Sequence, residues 1–217
     1  MACRLFSTFV ALLVGLQAPG QATGQVPPAA GQPAPAPRAI ENRAAPLPQT
    51  RPHGLRVPID PAKIVMDDGD TVEIRWSGED VETVRILGID CPETRHLEHS
   101  LPFAQDFGSE ARAFAKGAFA VATEVELLRS STLDPFGRTL GYVFLNGRNY
   151  SVLVVRARLA AESVSHFGDN GLPKQAAEVV AAAAAAGPLP FEPPHQFRAR
   201  MRDVTKWMQE TGAWAEK

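Results

Sequence analysis

Cysteine is scarce in this 217-residue chain: there are only two, Cys3 and Cys91. Cys3 lies in an apolar N-terminal stretch, so its removal leaves Cys91 alone and excludes an intrachain disulfide. An excess of positive charge is also lacking, since 22 Lys and Arg against 24 Asp and Glu give a net charge of -2. That balance argues against a protein that holds nucleic acid by bulk electrostatics, although local basic groups or a bound divalent cation could still supply a site. The longest apolar run, Leu5 to Leu16, is shorter than the roughly 20 residues a bilayer-spanning helix requires. What is present is 45% hydrophobic and 21% charged residues, the composition of a globular protein with one well-buried domain.

Arg4 precedes that apolar run, and small residues follow it up to Ala22. This is the layout of a cleavable secretory signal, so residues 1–22 are expected to be removed and the mature protein to be secreted or periplasmic, with no membrane segment. Residues 23–57 are rich in Pro, Ala, Gly and Gln. Such a stretch buries too little apolar surface to offset its ordering entropy, which predicts a disordered spacer before a domain at 58–217.

The first half of that domain has a β pattern. "AKIVM", "TVEIRW" and "VETVRILGI" are short alternating or apolar runs separated by the turn sequences "DDGD" and "SGED". "DFGSEARAFAKGAFAVA" places Phe107, Ala111, Phe114, Ala115 and Ala118 on one helical face. "EVELL" and "RTLGYVFL" return to β, "NG" at 146–147 signals a tight turn, and "YSVLVVRARLAAESV" has helical character. The order predicts an α+β fold, a five-stranded OB-type barrel with three or more packed helices. An alanine tract of high helix propensity, ended by Gly187 and Pro188, and a proline connector, about 174–195 together, read as an insertion before a last helix whose apolar stripe is Phe197, Met201, Val204 and Met208. Trp214 is expected to dock on the barrel.

Three charged segments stand at strand ends or turns: "DDGDT" at 67–71, "RILGIDCPE" at 85–93 and "DPFGR" at 134–138. Each alone is an ordinary solvated turn. Together, in this order, and with Arg85, Asp90 and Glu93 at matched spacing, they resemble the thermonuclease family of staphylococcal-nuclease-like phosphodiesterases over about residues 67–160.

The resemblance implies a site. Asp70 and Asp90, with the backbone carbonyl of Cys91, would ligate one Ca²⁺, a hard ion that accepts oxygen donors. Glu93 would be the general base, and Arg85 and Arg138 would grip the phosphate. Asp68 is a candidate supporting carboxylate. The implied activity is a Ca²⁺-dependent endonuclease acting on DNA and RNA, with single strands preferred, leaving 3′-phosphate ends. A monomer is the default expectation. The rival expectation is a non-catalytic OB-type nucleic-acid-binding module; such copies normally lose the charged residues, and all five are retained here.

The family commonly has tyrosines after the second helix, whereas "LAAESVSHFGDN" has none. His166, Phe167 and Phe136 could offer π-faces to a base instead, or could simply pack. In "HLEH", His96 and His99 lack an evident third ligand, which favours a solvated loop over zinc.

Overall fold

A computed structural model describes residues 46–214. The expected signal segment and the spacer up to residue 45 lie outside the described residues. Among those described, no helix is long and apolar enough to cross a membrane.

The core is a curled mixed sheet of the OB type. Strands β1 (Arg56–Ile59), β2 (Ile64–Met66), β3 (Thr71–Arg75) and β4 (Val81–Ile86) come first, followed by the short β5 (Ile89–Asp90). After helix α1 (Gly108–Ala120) come β6 (Val125–Leu133), β7 (Thr139–Leu145) and β8 (Arg148–Asn149). The order across the main sheet is β1-β6-β7-β4-β3-β2, with β8 on β7. β4 and β7 run parallel, with Val84 opposite Thr139 and Arg85 opposite Leu140, while the other pairs are antiparallel. The period-2 pattern explains which face is dry: Val72 and Ile74 on β3 and Val84 and Ile86 on β4 are buried.

Helix α2 (Tyr150–Arg156) starts at Asn149, whose side chain caps it by accepting the N–H of Ser151. It is shorter than the sequence suggested. Arg158 takes φ 59°, which breaks the helix, and the chain re-emerges as β9 (Ala161–Glu162), paired with β5 so that Asp90 lies opposite Ala161. Helices α3 (Val164–Phe167), α4 (Pro173–Ala186) and α5 (Pro194–Glu210) complete the chain. The "NG" turn forms as expected, with Asn146 at φ 49° and Gly147 at φ 75°.

Two expectations are corrected. The spacer does not extend to residue 57: Leu47, Gln49 and Gly54 pair by backbone hydrogen bonds with Leu133, Ser131 and Arg129, and β1 begins at Arg56. This segment is held by strand pairing and by the buried Gln49, which donates to Thr139 Oγ1 at 3.1 Å, so a measure based on apolar content misses it. The alanine tract is no insertion either. It forms α4, with Ala176, Val179 and Ala182 buried at successive helical positions, and Val179 and Ala182 belong to the main core. By contrast α5 lies outside that core; its Phe197 and Met201 form a small separate cluster with Leu101, against which Val204 packs. Three side chains in so small a cluster supply on the order of 5 kcal/mol, an upper estimate.

Candidate active site

The "DDGD" turn is built by its own side chains. Asp68 Oδ1 accepts the N–H of Asp70 at 3.0 Å, and the Asp70 carbonyl accepts the N–H of Ile86 at 2.8 Å, which ties the turn to β4. Tyr150 donates its hydroxyl to the Gly69 carbonyl at 2.7 Å, so α2 anchors the turn from below. Gly69 itself is packed against Cys91: a Cβ there would lie 2.7 Å from the sulfur. Asp70 is thereby fixed, and its Oδ2 accepts the Cys91 N–H at 2.8 Å.

β4 and β5 bring the other charges to the same place. Thr71 pairs directly with Arg85 across β3 and β4, so the arginine stands beside the turn and its guanidinium ion-pairs with Asp70. The same group reaches Asp90 Oδ1 at 3.2 Å and the Ile89 carbonyl at 3.3 Å. Arg85 therefore bridges the two aspartates. Glu93 follows on a segment held from both sides by the buried Gln105, whose side-chain oxygen accepts the Glu93 N–H at 3.2 Å and whose own N–H donates to the Glu93 carbonyl at 2.9 Å. Gly108 at the start of α1 is required here, because a Cβ would lie 2.3 Å from that carbonyl.

The fifth group is one that the sequence reading missed. Arg198 on α5 forks onto Asp90, with both contacts at 2.9 Å, and also donates to Glu93 Oε1. Burial depresses the guanidinium's pKa, but the hydrogen bonds and charges of Asp90 and Glu93 more than reverse this, holding it firmly protonated. Arg198 sits on the flank of the helix's buried stripe, next to Phe197 and Met201. That half-buried position on the helical wheel is the one signal that could have found it.

Not every expected residue joins the cluster. Arg138 is bound to Asp134, at 2.6 Å from its Nε, in a loop where Asp134 Oδ1 also accepts the N–H groups of Phe136 and Arg138. Since Leu140 lies opposite Arg85, alternation puts Arg138 on Arg85's face of the sheet, but its side chain is turned to its own loop. Phe136 is 84% exposed. Cys91 is buried, and burial pushes its thiol well above the usual range, with Arg85 pulling more weakly the other way. It is a packed, protonated side chain, and only its backbone can take part in the chemistry. His96 bonds to Thr94 and Glu98 in a loop outside the cluster.

The donor chemistry of Asp70 and Asp90 suits a hard cation, yet among the described residues no three His, Cys, Asp or Glu side chains are disposed to hold one. The reason is visible in the hydrogen bonds. Asp70 Oδ1 is used by Arg85 and Thr71, and Asp90 Oδ1 by Arg85 and Arg198. The oxygens are of the right kind, two carboxylates on fixed backbone, and beside the Thr71 hydroxyl and the Cys91 N–H the groups bound to them are the guanidiniums of Arg85 and Arg198, which a metal ion could replace.

Beside Asp90 opens a cleft of about 350 Å³, lined among others by His166, Phe167, Ala183, Pro193 and His195. His166 and His195 stack there with ring centroids 5.8 Å apart and planes 12° from parallel.

A fixed turn, two aspartates bridged by an arginine, and a positioned glutamate at one end of an OB-type sheet define a staphylococcal-nuclease-like domain. Residues 83–186 match the family described as "Staphylococcal nuclease homologue", and the chain carries a domain of that family. The match runs through the end of α4 and stops before α5. The chain is 36% identical over 94 residues to a protein named Thermonuclease from Staphylococcus intermedius, covering 43% of this chain and 53% of that protein. It is 29% identical over 94 residues to the SPbeta prophage-derived endonuclease YokF of Bacillus subtilis, covering 43% of this chain and 30% of the relative. To Endonuclease YncB of the same species it is 27% identical over 94 residues, 43% of each chain. The chain thus spans about half the length, or less, of these curated relatives.

Proposed function

We propose that this protein is a secreted or periplasmic, Ca²⁺-dependent endonuclease that hydrolyses phosphodiester bonds of DNA and RNA, with single strands preferred and 3′-phosphates as products. The observation that carries this reading is the convergence of Asp70, Arg85, Asp90 and Glu93 where β3, β4 and β5 meet, in a domain whose relatives are named as nucleases.

The residues divide the chemistry as follows. Glu93 removes a proton from a water molecule as the water oxygen attacks phosphorus. The P–O5′ bond breaks and the departing 5′ oxygen takes a proton from solvent water, so that phosphate remains on the 3′ side. Arg85 presents a fork to the phosphate oxygens and neutralises the charge that grows on them in the five-coordinate transition state; Arg138 joins it by releasing Asp134. Asp70, Asp90 and the Cys91 carbonyl would hold the calcium ion, which when bound supplies Lewis-acid polarisation of the phosphate. Gln105 and Gly108 keep Glu93 in place. The cleft lined by His166 and Phe167 gives a neighbouring base an aromatic surface at which to stack.

The test is cleavage of denatured DNA by the full chain, with Ca²⁺ and with EGTA in parallel. Ca²⁺-dependent cleavage that leaves 3′-phosphates is expected. Folded protein that binds single strands without cutting them would favour the non-catalytic binding module instead.

A further inference from the structure

Arg198 does not come from the strands and turns that build the rest of the site. It stands on α5, which follows the family-matched residues and is attached through a small apolar cluster of its own. Two further bonds steady the helix and its connector: Gln105 Nε2 donates to the Glu192 carbonyl at 2.7 Å, and Thr205 donates to the Ser100 carbonyl at 3.0 Å. Gln105 therefore joins the Glu93 segment to the connector of α5 through one side chain. A guanidinium thus enters the carboxylate cluster from an element beyond the matched residues, and it takes both oxygens of Asp90 and one of Glu93.

The charge balance gives this arrangement a purpose. Asp70, Asp90 and Glu93 contribute three negative charges and Arg85 only one positive, so without Arg198 the cluster would carry two uncompensated, largely buried negative charges. Arg198 compensates one of these two charges. It also occupies both oxygens of Asp90, one of the two carboxylates a divalent cation would need, and a guanidinium freed from carboxylates next to a phosphodiester finds equivalent paired oxygens on the phosphate.

We propose that Arg198 is an exchangeable counter-ion of the site: it holds Asp90 and Glu93 in the resting enzyme, yields Asp90 to Ca²⁺, and passes to the phosphodiester as a third phosphate-binding arginine. This inference rests on the proposed nuclease reading. It makes Arg198 a substrate-binding residue with opposite effects on the two ligands, which neither a simple plug nor a purely structural arginine would have. A plug resists both ligands. A structural arginine supports the fold and discriminates between neither.

The experiment measures Ca²⁺ affinity by titration calorimetry for the wild type, Arg198→Gln and Arg198→Lys, with thermal unfolding as a check on folding. In parallel, fluorescence anisotropy follows a single-stranded DNA oligonucleotide in saturating Ca²⁺, using Glu93→Gln and Glu93→Gln/Arg198→Gln so that the strand stays intact. Expected are about tenfold tighter Ca²⁺ binding in Arg198→Gln, an intermediate gain in Arg198→Lys, and about tenfold weaker oligonucleotide binding in the double variant. Each tenfold change is roughly 1.4 kcal/mol. Unchanged or weaker Ca²⁺ binding in a folded Arg198 variant would overturn the proposal while leaving the nuclease reading intact, and so would oligonucleotide affinity that equals or exceeds that of Glu93→Gln. Absence of Ca²⁺ binding in every variant would overturn both.

Discussion

Glu82 and Arg85 stand three residues apart on β4, each held in a cluster of opposite charges, and the two clusters serve different ends. Glu82 lies in phase with Val84 and Ile86 and points inward. Its two oxygens accept from Arg129 at 2.7 Å each, from Thr139 at 2.7 Å and from Trp76 at 2.8 Å, and Glu82 and Arg129 are both nearly sealed from water. Arg129 also donates to the Pro52 carbonyl at 3.1 Å, which recruits the segment before β1. Arg85 lies on the other face, where it, Glu93 and Arg198 remain partly open to solvent around the buried Asp70 and Asp90. A closed cluster with every bond satisfied fixes the fold, whereas an open one with replaceable partners can exchange them for ligand.

The sharpest way to break this contrast is on its closed side. Arg129→Met removes one partner of a buried pair and strands Glu82 in the core, which should cost about 3–5 kcal/mol. Thermal or urea unfolding would read this as a large drop in midpoint, and a drop smaller than about 1 kcal/mol would mean that the pair contributes little.

A smaller effect follows from pH. Burial alone would raise the Glu82 carboxyl, but the hydrogen bonds from Arg129, Thr139 and Trp76 outweigh it, and the group sits below the ordinary value of 4.5. A carboxyl whose pKa is lowered on folding contributes stability that is complete above its unfolded pKa and fades as pH falls through the folded one. Melting temperature should therefore fall as the wild type is acidified below about pH 4.5. The fall should be shallower in Glu82→Gln, which begins from a lower stability at neutral pH. Parallel profiles for the two proteins would remove Glu82 as a source of acid sensitivity.

How far the sequence could be read differs between the same two regions. Asp70, Arg85, Asp90 and Glu93 were legible because their three charged segments, each ordinary alone, stand in an order and spacing that resemble the thermonuclease family. The sheet, α1 and the "NG" turn were legible from their periodicity. Arg198 was not, because Arg198, Arg200 and Arg202 alternate through α5 and nothing local marks the one that enters the site. The Glu82–Arg129 pair was overlooked although Glu82 alternates in phase with Val84 and Ile86, the signature of an inward carboxylate. The segment at 47–57 and α4 were misjudged for a common reason. Composition reports how much apolar surface a segment owns, whereas strand pairing and close approach by small side chains let Pro-rich and Ala-rich segments join a core that other residues supply.

The most direct test of the central claim is the turnover of denatured DNA by Glu93→Gln, with its melting temperature taken on the same preparation. General-base catalysis at Glu93 predicts a loss of about 10²- to 10⁴-fold in kcat with the fold retained. Turnover equal to the wild type in a folded Glu93→Gln protein would contradict the account, because the residue that β4, β5 and Gln105 together hold in place would then have no part in the reaction.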